Sequence, residues 1–126
     1  MIRPTNAELA ILGVLWQRGP STVRDVHDAM RAARSEAVGY TTILKLLQIM
    51  AEKELVTRDT RARTHVYAAA VSEATTRGHL LSDLVERAFG GSSLALVLQA
   101  LSTTRATPAE LDQIRRLLDK RNGDSR

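Results

Sequence analysis

The chain has 126 residues, of which 44% are hydrophobic and 25% are charged, and its formal net charge is +4 at pH 7. This composition is typical of a soluble globular protein, and the length suits one ordinary domain or two small ones. The sequence contains no cysteine, which excludes a disulfide framework, a thiolate metal site and a cysteine nucleophile. Because it has neither an apolar run of membrane-spanning length nor an apolar signal segment at its start, we expect a cytoplasmic protein.

The basic residues are spread almost evenly along the chain. Residues 1–70 carry ten Lys and Arg against seven Asp and Glu, and residues 71–126 carry eight against seven. An excess this small suits a polyanionic partner but does not establish one. Any argument for nucleic-acid binding must therefore rest on where the basic side chains lie.

The first predicted helix covers residues 5–18. Thr5 is followed three residues later by Glu8, a spacing that lets the hydroxyl and the carboxylate each satisfy a free backbone N–H at the helix start. Gly19 and Pro20 then end the helix. Four apolar residues recur at helical spacing and fall on one face: Leu9, Leu12, Leu15 and Trp16.

Two further helices follow in the first half of the chain. Thr22 and Asp25 repeat the capping pattern and start a helix that runs to about residue 34. A polar link over residues 35–37 leads to a third helix that begins near Gly39. The apolar stripes predicted for these helices are Val23, Val26, Met30 and Ala33 in the second, and Ile43, Leu47 and Met50 in the third.

The third helix is followed by a predicted β-hairpin. Two β-prone runs, at residues 55–58 and 64–68, are separated by a polar turn over residues 59–63. Three helices and a terminal hairpin, in this order, describe a winged helix-turn-helix. We therefore predict a mainly α fold with a small hairpin wing.

The second half of the chain is predicted to be helical throughout. Ser72 caps a helix that the two glycines at residues 90–91 end. Residues 94–101 form a short apolar helix, opened by one of the two preceding serines. A Thr-Pro-Ala-Glu start at residues 107–110 opens a last helix, and a polar tail follows from residue 122.

The helix over residues 94–101 is apolar almost all round, and one small domain cannot bury such a helix by itself. We therefore predict a DNA-binding domain at residues 1–70 and a three-helix dimerisation domain at residues 71–126. A monomer whose flanking helices wrap this helix is the alternative. The predicted dimer interface consists of Leu81, Leu84, Val85, Leu94, Val97, Leu98, Leu101, Leu111, Ile114 and Leu118.

The predicted DNA contacts come from three elements. The third helix of a helix-turn-helix lies in the major groove, where its N-terminal side chains reach base edges and phosphates. Arginines at a hairpin tip suit the backbone or the minor groove. The residues concerned are Tyr40, Thr41, Thr42, Lys45 and Gln48 in the third helix, Arg58, Arg61 and Arg63 around the wing, and Thr22 and Arg24 at the start of the second helix. Alternatively, these are a solvated helix face and a turn kept soluble by arginines.

The sequence offers no catalytic, metal or cofactor site. His27, His65 and His79 stand on different predicted elements, without the carboxylate pattern of metal or triad chemistry. We therefore predict that the protein is not an enzyme. Two rival functions remain, a winged-helix module that binds a protein partner and a ligand-sensing regulator, although an aromatic content of 3% offers little for an aromatic pocket.

The chain resembles the penicillinase-repressor family (the BlaI/MecI/CopY type). The resemblance covers nearly the whole chain and rests on short motifs in matching order at residues 10–16, 22–26, 39–43, 65–67, 89–92 and 107–111. It implies a homodimeric repressor that binds a palindromic operator through Thr41, Thr42, Lys45 and Gln48, with wing contacts from the arginines near residue 61. It also implies, as a partner, a membrane sensor-protease that inactivates the repressor.

Three positions depart from this family's pattern. Ile49 stands where relatives commonly have arginine, so the end of the third helix is expected to touch less DNA. Gln99 and Ala100 stand where the best-known members have the asparagine–phenylalanine pair at which they are cleaved. Copper-responsive members carry paired cysteines near the C-terminus, and this chain has no cysteine.

Overall fold

The computed structural model describes residues 3–33 and 38–124. The predicted polar link at residues 35–37 lies outside these described residues. The chain divides into two units, Met1–Leu81 and Ser82–Arg126. The described elements are α1 (Asn6–Arg18), β1 (Ser21–Thr22), α2 (Val23–Ala33), α3 (Tyr40–Glu52), β2 (Val56–Asp59), β3 (Val66–Ala69), α4 (Glu73–Ala88), α5 (Ser93–Thr103) and α6 (Pro108–Asp124). This order confirms the predicted mainly α fold with a small wing.

The predicted capping boxes of α1 and α2 are both present. The Thr5 N–H donates to Glu8 Oε1 at 2.8 Å, and the Glu8 N–H donates to Thr5 Oγ1 at 3.2 Å. The same exchange joins Thr22 and Asp25, at 3.1 Å in each direction. Gly19 ends α1 with a φ of +85°, a conformation that glycine adopts without steric cost.

The wing contains a strand that the sequence analysis did not predict. β1 pairs with β3 in antiparallel register, Ser21 opposite Tyr67 and Thr22 opposite Val66, and β2 pairs with the other edge of β3. The strand order is therefore β1-β3-β2. Through β1, the sheet is joined directly to the start of α2.

The hydrophobic core lies in the first unit, between the inner faces of α1, α2 and α3 and the sheet. The predicted stripes of α2 and α3 are buried, except for Ala33 at the end of α2. Leu9 and Trp16 lie half-buried at the edge of the core. The buried hydrophobic side chains are Ile11, Leu12, Leu15, Val23, Val26, Met30, Ile43, Leu47, Met50, Leu55, Val56 and Tyr67.

One polar contact ties the segment after the wing to α1. The indole Nε1–H of Trp16 donates to the backbone carbonyl of Val71 at 2.9 Å. Tryptophan needs such a partner when its ring is packed against a core. The bond fixes the chain between β3 and α4 to the first helix.

A buried ion pair links α1 to the C-terminal end of α3. The Glu8 side chain is 1% exposed, and both of its carboxylate oxygens accept from Lys53 Nζ at 3.0 Å. Burial raises the pKa of the Glu8 carboxyl, but the Thr5 N–H and the Lys53 ammonium outweigh it, so the pKa lies below its ordinary value of 4.5. The sequence showed Glu8 only as a capping residue.

We expect Lys53→Met to reduce the free energy of unfolding by about 1–3 kcal/mol at pH 7, because it leaves a buried carboxylate without its cation. Since the folded-state pKa of Glu8 is lowered, the pair stabilises the wild type fully above pH 4.5 and loses this effect as pH falls through the folded-state pKa. The difference between variant and wild type should therefore shrink in acid. Urea denaturation, followed through Trp16 fluorescence, measures the free energy of unfolding of both proteins at each pH.

The exposed Lys120 on α6 provides the control, because Lys120→Met removes the same charge from a surface position. A Lys53→Met variant as stable as the wild type at pH 7, or equally destabilised in acid, would contradict the assigned role of the pair.

The second half of the chain is helical, as predicted. Ser72 and Ser92 accept from the backbone N–H groups of the first turns of α4 and α5, and Thr107 and Glu110 form a complete capping box at α6. The predicted polar tail from residue 122 is wrong in part, because α6 continues to Asp124. No residue of α5 is buried.

In the described part of the chain, no single helix is both long enough and apolar enough to cross a membrane. Only α4 and α5 taken together, as a bent pair, meet that length and composition.

Candidate nucleic-acid interface

α3 presents two chemically different faces. Its inner stripe of Ile43, Leu47 and Met50 is fully buried. The predicted DNA-contacting residues lie on the opposite side and are all exposed: Tyr40, Thr41, Thr42, Lys45 and Gln48. Because burial of the inner stripe fixes the rotation of the helix about its axis, this polar face is held outward. It offers hydroxyl, ammonium and amide groups, which are the groups that read base edges.

The base of the wing lies beside α3. Arg58 on β2 is opposite Tyr67 on β3, and its side chain is exposed. Arg58, Gln48 and Glu52 line a shallow groove of about 410 Å³, together with Ala51. The structure therefore brings one predicted wing arginine next to the predicted reading face.

At the tip of the wing, Arg61 is paired with Asp59. Arg61 Nη2 lies 2.8 Å from Asp59 Oδ2, and Arg61 Nε donates to the same carboxylate at 3.1 Å. This hydrogen bonding raises the pKa of Arg61 and lowers that of Asp59, so both groups stay charged. Arg61 is 91% exposed, but much of its charge is compensated by its neighbour.

A cleft of about 560 Å³ joins the start of α2, the start of α3 and the wing. Four predicted DNA-binding residues meet there, namely Thr22, Arg24, Tyr40 and Arg63. The other lining residues are Val23, Asp25, Leu44, Thr64, His65 and Tyr67. Residues from three separated parts of the sequence thus share one concave surface.

The first turn of α2 is already capped by the protein itself. The Asp25 carboxylate accepts the Thr22 N–H, and Thr22 Oγ1 accepts the Asp25 N–H. The backbone N–H and the hydroxyl of Thr22 lower the pKa of Asp25, which keeps a negative charge at this helix start. An anion bound in the cleft must therefore rely on the arginine side chains more than on the N-terminus of α2.

Arg24 and His27 both contact the Tyr40 ring beside the cleft. The Arg24 guanidinium carbon lies 5.5 Å from the centroid of the Tyr40 ring. The His27 ring meets the Tyr40 ring edge-on, with 6.1 Å between centroids and 60° between planes. His27 was not predicted as a site residue; its position three residues after Arg24 on a helix was the available signal.

No group of three or more His, Asp or Glu residues that could hold a metal ion occurs within residues 3–33 and 38–124. His65 lines the cleft, whereas His27 contacts Asp28 Oδ1 at 3.1 Å.

The three-helix core, the three-stranded wing and the exposed polar face of α3 together define a winged helix-turn-helix DNA-binding protein. Residues 4–120 match the model of the penicillinase repressor family. The chain belongs to this family and is a DNA-binding transcriptional repressor, not an enzyme. The alternative of an interaction module without DNA binding is thereby set aside.

The chain is also similar to several individual proteins and solved structures. The chain is 33% identical over 120 residues to the transcriptional regulator BlaI of Mycobacterium tuberculosis, strains CDC 1551/Oshkosh and H37Rv. The aligned region covers 94% of this chain and 84% of the relative. The solution structure of monomeric Bacillus licheniformis BlaI in complex with the blaP half-operator is 19% identical, with a TM-score of 0.49, 58% of this chain covered and 87% of that one. The CopR repressor structure is 22% identical, with a TM-score of 0.43, covering 56% of this chain and 100% of that one.

Asp59→Asn should strengthen DNA binding by about two- to fivefold at low salt, because it removes an exposed negative charge and releases Arg61 from its partner. Fluorescence anisotropy with labelled duplex DNA measures the change. Asp112→Asn on α6 is the matched control, because it makes the same charge change at an exposed residue outside the wing. Unchanged or weaker binding by Asp59→Asn would contradict the view that Asp59 opposes DNA binding and holds Arg61 back from DNA.

Proposed function

We propose that this repressor acts in the cytoplasm as a homodimer that binds a palindromic operator and occludes a promoter. In this proposal residues 1–70 read DNA and residues 71–126 hold the subunits together. The observation that carries it is the contrast between the two units. The first has a complete core and an outward polar helix face, whereas the second leaves its apolar side chains exposed.

The proposed recognition helix is α3, lying in the major groove. Thr41, Thr42, Lys45 and Gln48 are exposed on it, and their hydroxyl, ammonium and amide groups match base edges and phosphates. In this proposal Arg58, Arg61 and Arg63 on the wing contact the neighbouring DNA backbone, where charge attracts without requiring one geometry. The DNA-binding roles of Thr22, Arg24 and Tyr40 at the cleft belong to the same proposal.

The dimer is supported by the missing core of the second unit. Leu94, Val97, Leu98 and Leu101 lie on one face of α5, and Leu94 and Leu98 are 67% and 57% exposed. Of the other predicted interface residues, Leu81, Leu84 and Leu118 are exposed, while Val85, Leu111 and Ile114 are half-buried. An apolar surface of this kind on a soluble unit marks an interaction site.

A second copy of the chain is the occupant that we propose for this face. The unit Ser82–Arg126 contains 45 residues (82 to 126 inclusive), close to the size below which a domain needs a disulfide, a metal or oligomerisation. The sequence has no cysteine for a disulfide, and the described residues contain no group that could hold a metal ion, so we propose association as the means of covering these leucines. Within one subunit the flanking helices do not cover the α5 face, which stays exposed. The reverse polarity of two-fold related subunits also fits two half-sites of a palindrome.

A membrane sensor-protease is the further partner implied by the family resemblance, and here it stays a proposal. Gln99 and Ala100, at the position of the family's cleaved pair, are exposed but lie inside α5. Proteases cut extended chain more readily than helix, so cleavage at this bond would require α5 to open.

Lys45→Ala and Thr42→Ala should each weaken specific operator binding by about 1–3 kcal/mol. The measurement is fluorescence anisotropy with labelled DNA from upstream of the gene for this protein, beside a shuffled duplex, at two salt concentrations. Wild-type affinity should fall about a thousandfold or more between low and physiological salt. Lys120→Ala on α6, which removes the same charge outside the proposed reading face, should bind like the wild type.

Full operator affinity in both α3 variants would defeat the placement of the recognition helix. Equal wild-type binding to the native and shuffled duplexes would defeat repression of the protein's own gene.

Leu98→Asp should convert the dimer to a monomer and raise the dissociation constant of the dimer at least about a hundredfold, because a carboxylate buried without a partner costs several kcal/mol. Sedimentation equilibrium measures it. Gln99→Asp places the same charge at the next, exposed position of α5 and should leave the dimer intact. A wild-type protein that is monomeric at micromolar concentration would overturn the proposed dimer.

A further inference from the structure

The start of α3 carries an aromatic ring with contacts on two sides. Tyr40 is the first residue of α3 and is 43% exposed. The Arg24 guanidinium lies over its ring at 5.5 Å from the centroid, and the His27 ring meets it edge-on at 6.1 Å. Both partners project from α2, so the ring bridges the first turns of the two helices of the helix-turn-helix.

The guanidinium of Arg24 is oriented without being neutralised. Within the described part of the chain no carboxylate forms an ion pair with Arg24, whereas Arg61 is bound to Asp59 at 2.8 Å. A cation over an aromatic face is attracted to the ring and keeps its N–H donors free at the rim. Arg24 therefore retains a full charge and its hydrogen-bonding capacity while its position is restricted.

Arg24 on α2 and Arg63 on the wing both line the cleft, and Thr22 and Thr64 are among the other lining residues. Asp25 also lines the cleft, and its negative charge opposes an anion there. Its carboxylate is engaged by the Thr22 N–H, and the two arginines exceed it in charge. The cleft is therefore suited to a singly charged phosphodiester.

We propose that Tyr40 is a positioning residue for DNA binding, whose ring holds Arg24 at the cleft. Arg24 and Arg63 then bind one operator phosphate between α2 and the wing. This inference rests on the proposed placement of α3 and the wing on DNA. It assigns to Tyr40 a role different from that of the base-reading side chains Thr41, Thr42, Lys45 and Gln48.

The ring, and not the hydroxyl, makes the contacts that matter for this role. Both the Arg24 contact and the His27 contact are made to the aromatic face or edge of Tyr40. Removing only the hydroxyl should therefore preserve the position of Arg24, while removing the ring should release it. A direct DNA contact by the hydroxyl would give the opposite pattern.

The test is a double-mutant cycle on the full-length protein, with Tyr40→Phe, Tyr40→Leu, Arg24→Ala and Arg24→Ala/Tyr40→Leu. Operator affinity is measured by anisotropy at several salt concentrations, and urea denaturation verifies that each variant is folded. Tyr40→Phe keeps the ring and should bind more tightly than Tyr40→Leu. Arg24→Ala should lose about tenfold in affinity and about one charge from the salt slope.

Tyr40→Leu should lose about two- to fivefold, the contribution of a partly exposed cation–π contact, and should add nothing once Arg24 is already Ala. Additive losses, or a Tyr40→Phe variant as weak as Tyr40→Leu, would overturn the positioning role. Failure of the wild type to bind any operator DNA would instead overturn the proposed function, so the two failures are distinguishable.

Discussion

The burial of the inner stripe of α3 is the constraint on which the rest of the first unit depends. Ile43, Leu47 and Met50 are all fully buried, and a helix packed along one stripe cannot turn about its axis without exposing it. Burying roughly three such side chains contributes several kcal/mol at about 1.5–3 kcal/mol each. The exposed polar residues of the opposite face are consequently fixed on the outside.

The polar contacts at the rim of the core act on the same geometry. The pair between Glu8 and Lys53 joins the start of α1 to the end of α3, and β1 joins the start of α2 to the wing. Lys53 thus ties the C-terminal end of α3 to α1, and at the other end the Tyr40 ring contacts Arg24 and His27 of α2. A rigid DNA-binding unit of this kind reduces the free-energy cost of ordering side chains and loops when DNA binds.

Sequence periodicity was sufficient for most helices because each had a capping signal and a stripe. Thr5 with Glu8, Thr22 with Asp25 and Thr107 with Glu110 all form the expected boxes. The same reasoning missed β1, because a strand of two residues has no period and is defined only by its partners Val66 and Tyr67. It also missed the contact between Glu8 and Lys53, residues 45 positions apart, since a capping acid is expected at the surface. The arrangement of Arg24, His27 and Tyr40 depends on the angle between two helices, which no local pattern encodes.

The number of unpaired cations on one DNA-binding domain bears on the proposed dimer. Arg24, Lys45, Arg58 and Arg63 form no ion pair within the described residues, whereas Arg61 is shared with Asp59. Because Arg24 and Arg63 are proposed to share one phosphate, one DNA-binding domain with these cations would neutralise about three phosphates, and its affinity would fall only about fortyfold between 50 and 200 mM salt. Two such domains joined through the α5 face would double the number of phosphates and bring the salt dependence to about a thousandfold, in the range of specific repressors. The small net charge of the chain is thus compatible with strong operator binding, provided that dimerisation through the exposed leucines of the second unit brings two DNA-binding domains to one operator.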